Sequence, residues 1–361
     1  MRMWLSGVLA VVVVLALGAR GENAPAPATR PAVHLLAMGD WGNGGKSQKE
    51  VAKTMAGYVA GRRVAVDAMV MPGDNFYGKL KDETDKRWVR DFEAMYPAPQ
   101  FAFPFHPVAG NHDYEQKKLQ AQLGYAKANP ESRWKFPARW YRVDLPAGSD
   151  DPLVTLLMLD SNKDKLKKDW DAELKWLEYQ LDKTSKLRKD GSRRWVVAVA
   201  HHPLFSNGSH GDNGVLQKSW GALFKRYGLD VYVGGHDHDL QHLEVKDWPV
   251  SFVQAGGGGA GTREMKRDNR GPWSARANGF AHLEFSPEKL LVRFVDKSGK
   301  PLHAFERSGE GKVTVVQQGR TDGAPKKTWE QLKAAEARSA EEERLEAERA
   351  AKKKPKSDED D

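Results

Sequence analysis

Short apolar runs that each break at a sharp turn carrying an acid, an amide or an imidazole recur along this chain, and they leave few folds open. Val33 to Met38 runs into Gly39-Asp40-Trp41-Gly42, and Val66 to Met71 into Pro72-Gly73-Asp74-Asn75-Phe76-Tyr77. Phe105 to Ala109 ends at Gly110-Asn111-His112-Asp113, and Leu153 to Leu159 at Asp160-Ser161-Asn162. Trp195 to Ala200 ends at His201-His202-Pro203, and Asp230 to Val233 at Gly234-Gly235-His236-Asp237-His238. Short apolar runs bounded by glycine or proline read as buried strands. Helical patterns lie between them: Ser47 and Glu50 form a capping box expected to open a helix, and Trp170, Leu174, Leu177 and Leu181 repeat at helical spacing as core positions. Strands alternating with helices imply a layered α/β fold. Later runs, Ser251 to Gln254, Phe280 to Phe285 and Leu290 to Val295, are expected to complete a second sheet packed on the first. The architecture is then a β-sandwich flanked by helices.

The polar residues stand at strand carboxyl ends, where open α/β sheets place their ligands. Taken alone, Gly73 to Tyr77 reads as a turn with an Asx hydrogen bond and a packing tyrosine. Its companions change that reading. Asp40, Asp74, Tyr77, Asn111, His201, His236 and His238 offer oxygen and nitrogen donors from separate turns, and the chain has no cysteine. Thiolate metal sites, disulfides and lipoprotein acylation are thereby excluded. Such a set suits a pair of first-row metals, with Asp74 able to bridge through both carboxylate oxygens.

The two ends read as separable. Residues 1–21, with Met1-Arg2, an apolar run from Trp4 and the small residues Gly18 and Ala19, have the form of a signal peptide. Export to a secreted or periplasmic location is expected, with no stable membrane insertion once the signal is cleaved. Residues 22–32 form a Pro/Ala linker, 33–323 the catalytic domain, and 324–361 a charged low-complexity tail, helical or disordered. The formal charge of +8 favours anionic partners only mildly, and the scattered Lys and Arg residues carry no nucleic-acid motif, so no nucleic acid is expected. Gly256 to Gly259 is not followed by Gly-Lys-Ser or Gly-Lys-Thr and reads as a tight turn beside the metals. The basic segment Arg263 to Arg270 has two readings, an anion contact or a solvated loop.

Five of these turns, Asp40 to Gly42, Gly73 to Tyr77, Gly110 to Asp113, His201 to Pro203 and Gly235 to His238, stand in the order of the blocks of the calcineurin-like metallophosphoesterases. With Gly-Asp-Trp-Gly and Gly-His-Asp-His-Asp-Leu-Gln, the chain from about Val33 to about Val295 resembles the small, tartrate-resistant type of purple acid phosphatase. The resemblance implies a four-layer α/β (α+β) fold, a β-sandwich of two mixed sheets. It implies Fe(III) held by Asp40, Asp74, Tyr77 and His238, and a second divalent metal (Fe, Zn or Mn) held by Asp74, Asn111, His201 and His236. A hard trivalent ion suits two carboxylates and a phenolate, and a phenol with a pKa near 10 ionises at neutral pH only beside a strong cation. The substrate implied is a small phosphomonoester or a phosphorylated macromolecule, hydrolysed by a metal-activated hydroxide.

His112 and His210 resemble family histidines that face the substrate and protonate the leaving group, with Asp113 orienting His112. His202 is read either as a supporting residue or as a substrate contact, and His34, His106, His242, His282 and His303 as structural. The absence of cysteine and a short loop at Asn162 to Asp169 depart from the animal tartrate-resistant enzymes, so activation by loop cleavage is not carried over. Two other readings keep the sequence features. One is a phosphodiesterase or nucleotidase with two divalent metals, against which Gly42 stands where many such enzymes have histidine. The other is a non-catalytic cell-envelope binding protein.

Overall fold

The computed structural model describes residues 32–189, 194–265 and 270–322; the expected signal (1–21), the linker to residue 31 and the tail (324–361) lie outside the described residues. The first sheet is built on three parallel strands, β1 (Val33–Ala37), β2 (Ala68–Met71) and β3 (Phe105–Pro107). The second begins with β4 (Tyr141–Leu145), antiparallel to β5 (Val154–Met158). It continues in parallel through β6 (Trp195–Val199) and β7 (Val231–Gly234), and β8 (Leu240–Glu244) lies antiparallel to β9 (Ser251–Ala255), which is itself parallel to β7. The short strand β10 (Trp273–Ala275) closes that edge. The chain then returns to the first sheet as an antiparallel meander: β11 (Gly279–Phe285) on β1, then β12 (Lys289–Asp296), β13 (Pro301–Ser308) and β14 (Val313–Gln317). Each sheet is mixed and seven-stranded.

The expected division of strands is corrected here. Ser251 to Gln254 joins β7, whereas the runs at Phe280 and Leu290 extend the first sheet. Both sheets contain parallel strands, so an apolar run does not reveal which sheet it enters.

Alternation explains the layering. Leu156 and Met158 of β5 and Val197 and Val199 of β6 pack into the core shared with β1 and β2. Leu157, Val196 and Ala198 point the other way, onto Trp170, Leu177 and Leu181 of one helix (Asp169–Lys189) and Trp220 and Phe224 of another (Gly214–Tyr227). The helix after β1 spans Lys46–Arg62, and its N-cap is Gly45, without a side-chain cap. The expected Ser47–Glu50 box does not form; Gln48 accepts from Gly44 N–H (2.8 Å), and Glu50 pairs with Lys46 (3.7 Å) and Lys297 (2.9 Å).

Glu173, fully buried on the Asp169–Lys189 helix, accepts from Asp160 N–H through Oε1 (2.7 Å), while its Oε2 has no partner among the described residues. Burial first, then the nearby Asp160, pushes its pKa well above the ordinary value. A raised carboxyl pKa means that the native state holds the proton more tightly, so stability is fullest below the unfolded value of about 4.3 and declines as pH rises through the folded one. Glu173→Gln keeps the accepting oxygen and removes the ionisation. Thermal melts should show the variant more stable than wild type at pH 7.5 and near parity at pH 4; equal differences at both values would refute this account.

Candidate metal centre

The carboxyl ends of β1, β2, β3, β6 and β7 open onto one crevice, and the loops leaving them are bonded to one another. Asp40 N–H donates to Gly73 O (3.0 Å), Trp41 N–H to Asp74 O (3.3 Å) and Tyr77 N–H to Gly42 O (3.0 Å). The two sheets are tied by Gly39 N–H to Ala255 O (2.7 Å), and the β6 and β7 loops by Gly235 N–H to His201 O (2.9 Å). Glycine is needed where these loops cross: a Cβ on Gly235 would lie 2.6 Å from Asp40 Oδ2, and one on Gly256 would lie 2.9 Å from the same atom. The Gly256 to Gly259 run packs along the Asp40 loop, with Gly258 N–H donating to Gly39 O (2.9 Å) and Ala260 N–H to Asp40 O (2.9 Å). Three of the seven candidate ligands, Asp40 (φ 58°), Asp74 (φ 50°) and His236 (φ 73°), have left-handed backbones. Strain of this kind persists where surrounding structure imposes it, and it concentrates at functional sites.

The seven side chains meet in two groups that share Asp74. In the first, Tyr77 OH lies 3.3 Å from Asp40 Oδ1, 3.3 Å from Asp74 Oδ2 and 3.1 Å from His238 Nε2, with His238 Nε2 3.6 Å from Asp40 Oδ1. In the second, His201 Nε2 lies 2.9 Å from Asn111 Oδ1, 3.1 Å from His236 Nδ1 and 3.5 Å from Asp74 Oδ1. Tautomers are set from outside: His201 Nδ1 donates to Pro72 O (2.9 Å) and His238 Nδ1 to Gly261 O (2.7 Å), leaving each Nε2 as a lone pair. Asp40 Oδ2 is occupied by His236 N–H (2.9 Å), so its Oδ1 is the inward atom.

The residues fit a pair of cations. In the first group the phenol proton is shared among three acceptors, and in the second, lone pairs face one another. Burial, then repulsion from Asp74, pushes Asp40 well above the usual carboxylate range, and burial raises Asp74 and the Tyr77 phenol. Burial likewise lowers His201 to about 3, His236 well below its ordinary value, and His238 less far. Neutral imidazoles together with buried carboxylates and a phenol form a donor set that a bound cation would suit. Donor separations of 2.9–3.6 Å match the edges of tetrahedral or octahedral shells with bonds of about 2.1 Å.

His112 and His210 flank this cluster with side chains 34% and 37% exposed. Asp113 is not where the sequence led us to expect it. Instead of facing His112, its carboxylate accepts from the backbone N–H groups of Gly110 (2.8 Å) and Asn75 (3.1 Å) and from Gln122 Nε2 (2.8 Å), while His112 Nδ1 meets Glu115 Oε1 at 3.1 Å. The reason is that His112 opens a helical turn that carries the next side chain inward. His202 lies near His201 and His236, its Nδ1 against Ser161 Oγ (2.8 Å). Asn75 and Gln122 were missed as supports; the first lay unread inside the pentapeptide, and the second carries no sequence signal. Asp237 was also missed, and it holds His210 Nδ1 at 2.8 Å. His34 pairs with His282 (3.2 Å) and His242 with His303 (3.0 Å), away from the crevice loops.

A family model described as calcineurin-like phosphoesterase matches residues 33–240. Tartrate-resistant acid phosphatase type 5 of Mus musculus is 28% identical over 305 residues, covering 76% of this chain and 90% of its own. Two solved structures share the fold. The Plasmodium protein GAP50, described as the anchor in the inner membrane complex, aligns with a TM-score of 0.65 at 21% identity, over 80% of this chain and 90% of its own. A purple acid phosphatase from yellow lupin (Lupinus luteus) seeds aligns with a TM-score of 0.59 at 17% identity, over 84% and 58%.

Proposed function

The chain belongs to the calcineurin-like phosphoesterase family, and from that premise we propose that it is an acid phosphatase hydrolysing phosphate monoesters at an Fe(III)–M(II) centre. The observation that carries the reading is the seven-residue cluster in two groups joined by Asp74. Asp40, Asp74, Tyr77 and His238 would hold the ferric ion, and Asp74, Asn111, His201 and His236 the divalent one. When bound, the ions supply the positive charge that draws phosphoryl oxygens and the acidity that makes water a nucleophile at neutral pH. His112 and His210, the open histidines, would protonate the departing alkoxide. Asp237 holds the His210 ring by accepting from Nδ1, which leaves Nε2 toward the crevice.

Gly42 supports the monoester reading over a two-divalent-metal phosphodiesterase. A Cβ there would fall 1.7 Å from Asn75 O, so the loop has no room for the histidine that many such enzymes carry. The non-catalytic reading retains the fold, which GAP50 shares, but gives no reason for a buried set of facing acceptors. Among the described residues, no helix is long and apolar enough to cross a membrane; export through residues 1–21 remains part of the proposal.

The test is one purified sample, assayed for metals, visible absorption and monoester hydrolysis. Iron with a second metal and a phenolate-to-iron band are expected. Tyr77→Phe should abolish the band while changing metal content less than loss of a carboxylate ligand would. A colourless, iron-free sample that remains active would overturn the ferric assignment.

A further inference from the structure

Arg263 lies in the loop after β9, half-buried, beside the crevice. Its Nη1 lies against both ring nitrogens of His210, 2.6 Å from Nε2 and 3.0 Å from Nδ1, and its Nη2 is 3.4 Å from His238 Nε2. These are unusual neighbours for a guanidinium, which has five donors in a planar fork and ordinarily meets carboxylate or phosphate. His238 Nδ1 donates to Gly261 O, which leaves its Nε2 a lone pair, and the His210 ring is held by Asp237 Oδ1 at 2.8 Å, so the guanidinium rests against two imidazoles and meets no carboxylate there among the described residues.

We propose that Arg263 is a substrate-binding residue that grips the phosphoryl group and makes the site selective for monoesters over diesters. The proposal rests on the dinuclear phosphatase reading above. His238 Nε2 cannot serve an ion and accept from Arg263 with the same lone pair, so filling the ferric position releases one guanidinium donor at the mouth of the crevice. A phosphomonoester has three non-ester oxygens. Two of them can meet a pair of ions, and the third is left for Arg263. A diester has only two, so the arginine gains no equivalent acceptor. Turning Arg263 onto the phosphoryl group also uncovers His210 Nε2, which can then take a proton from solvent and pass it to the leaving oxygen while Nδ1 stays on Asp237.

The test uses metal-loaded wild-type, Arg263→Met and Arg263→Lys proteins. It reads inorganic phosphate binding by calorimetry, metal content, and hydrolysis of an aryl monoester and its diester. Arg263→Met should weaken phosphate binding ~10- to 100-fold, the range of a hydrogen bond to a charged group. Monoester kcat/KM should fall in parallel, mainly through KM, with metal content unchanged and the diester rate not lowered. Arg263→Lys should recover part of the loss, since an ammonium keeps the charge but not the fork. Phosphate binding in Arg263→Met equal to wild type, or equal losses on monoester and diester, would overturn the assignment. A metal-loaded wild type that neither binds phosphate nor cleaves the monoester would instead overturn the phosphatase reading on which it rests.

Discussion

Asp74→Asn should remove both metals and lower monoester kcat/KM by at least ~10³, a loss of about 4 kcal/mol of transition-state stabilisation. The size follows from position. Asp74 Oδ2 faces the Tyr77 phenol and Oδ1 faces His201 Nε2, so one substitution withdraws a ligand and a negative charge from each group. The amide has the same shape and can still accept from His112 N–H, which Asp74 Oδ1 now does at 2.9 Å. Folding is therefore spared, and the metal-free variant should melt no lower than metal-free wild type at neutral pH, because an isolated buried carboxylate is a cost that the amide does not carry. Metal quantification and melts with and without chelator check both halves. Retention of two metals and near-normal activity would remove Asp74 from its bridging role.

The contrast between Asp74 and Asp113 also shows what the sequence could and could not reveal. The strand ends were legible because a buried parallel strand is a short apolar run that breaks at glycine or proline; the inward set was legible because acids, a phenol and imidazoles recur at the carboxyl ends of such strands, which the sheets bring to one side. Strands such as Tyr141–Leu145 and Pro301–Ser308 were not legible, since Arg142, Asp144, Glu306 and Arg307 break the apolar pattern and their pairing is tertiary. The capping box failed for a related reason. Gln48 is drawn into the core, where its Nε2 donates to Asp91 O (3.1 Å), and that fixes the helix start without Ser47. Arg263 lay between two readings because a basic segment looks alike on paper whether it is solvated or aimed at His210 and His238. Only the fold brings residues so distant in sequence together.

Asp113→Ala should cost ~3–5 kcal/mol, the range for stranding several buried donors, and lower Tm by roughly 5–10 °C. The carboxylate is fully buried. Besides Gly110 N–H, Asn75 N–H and Gln122 Nε2, it receives Asn75 Nδ2 (3.2 Å) and Phe76 N–H (3.3 Å). Those donors belong to the loop carrying Asp74 and Tyr77, the loop carrying Asn111, and the helix Lys118–Ala128. Asp113 is therefore the clamp that holds the turns of Asp74, Tyr77 and Asn111 at a fixed spacing, and its removal should weaken the proposed divalent position most, because Asn111 is neutral and is carried by one of those turns. Metal affinity should fall with stability, and added metal should recover part of the activity. If Asp113 served His112 instead, the variant would keep its Tm and shift only the pH profile. Calorimetric melts beside metal titrations separate the two roles, and an unchanged Tm would return Asp113 to His112.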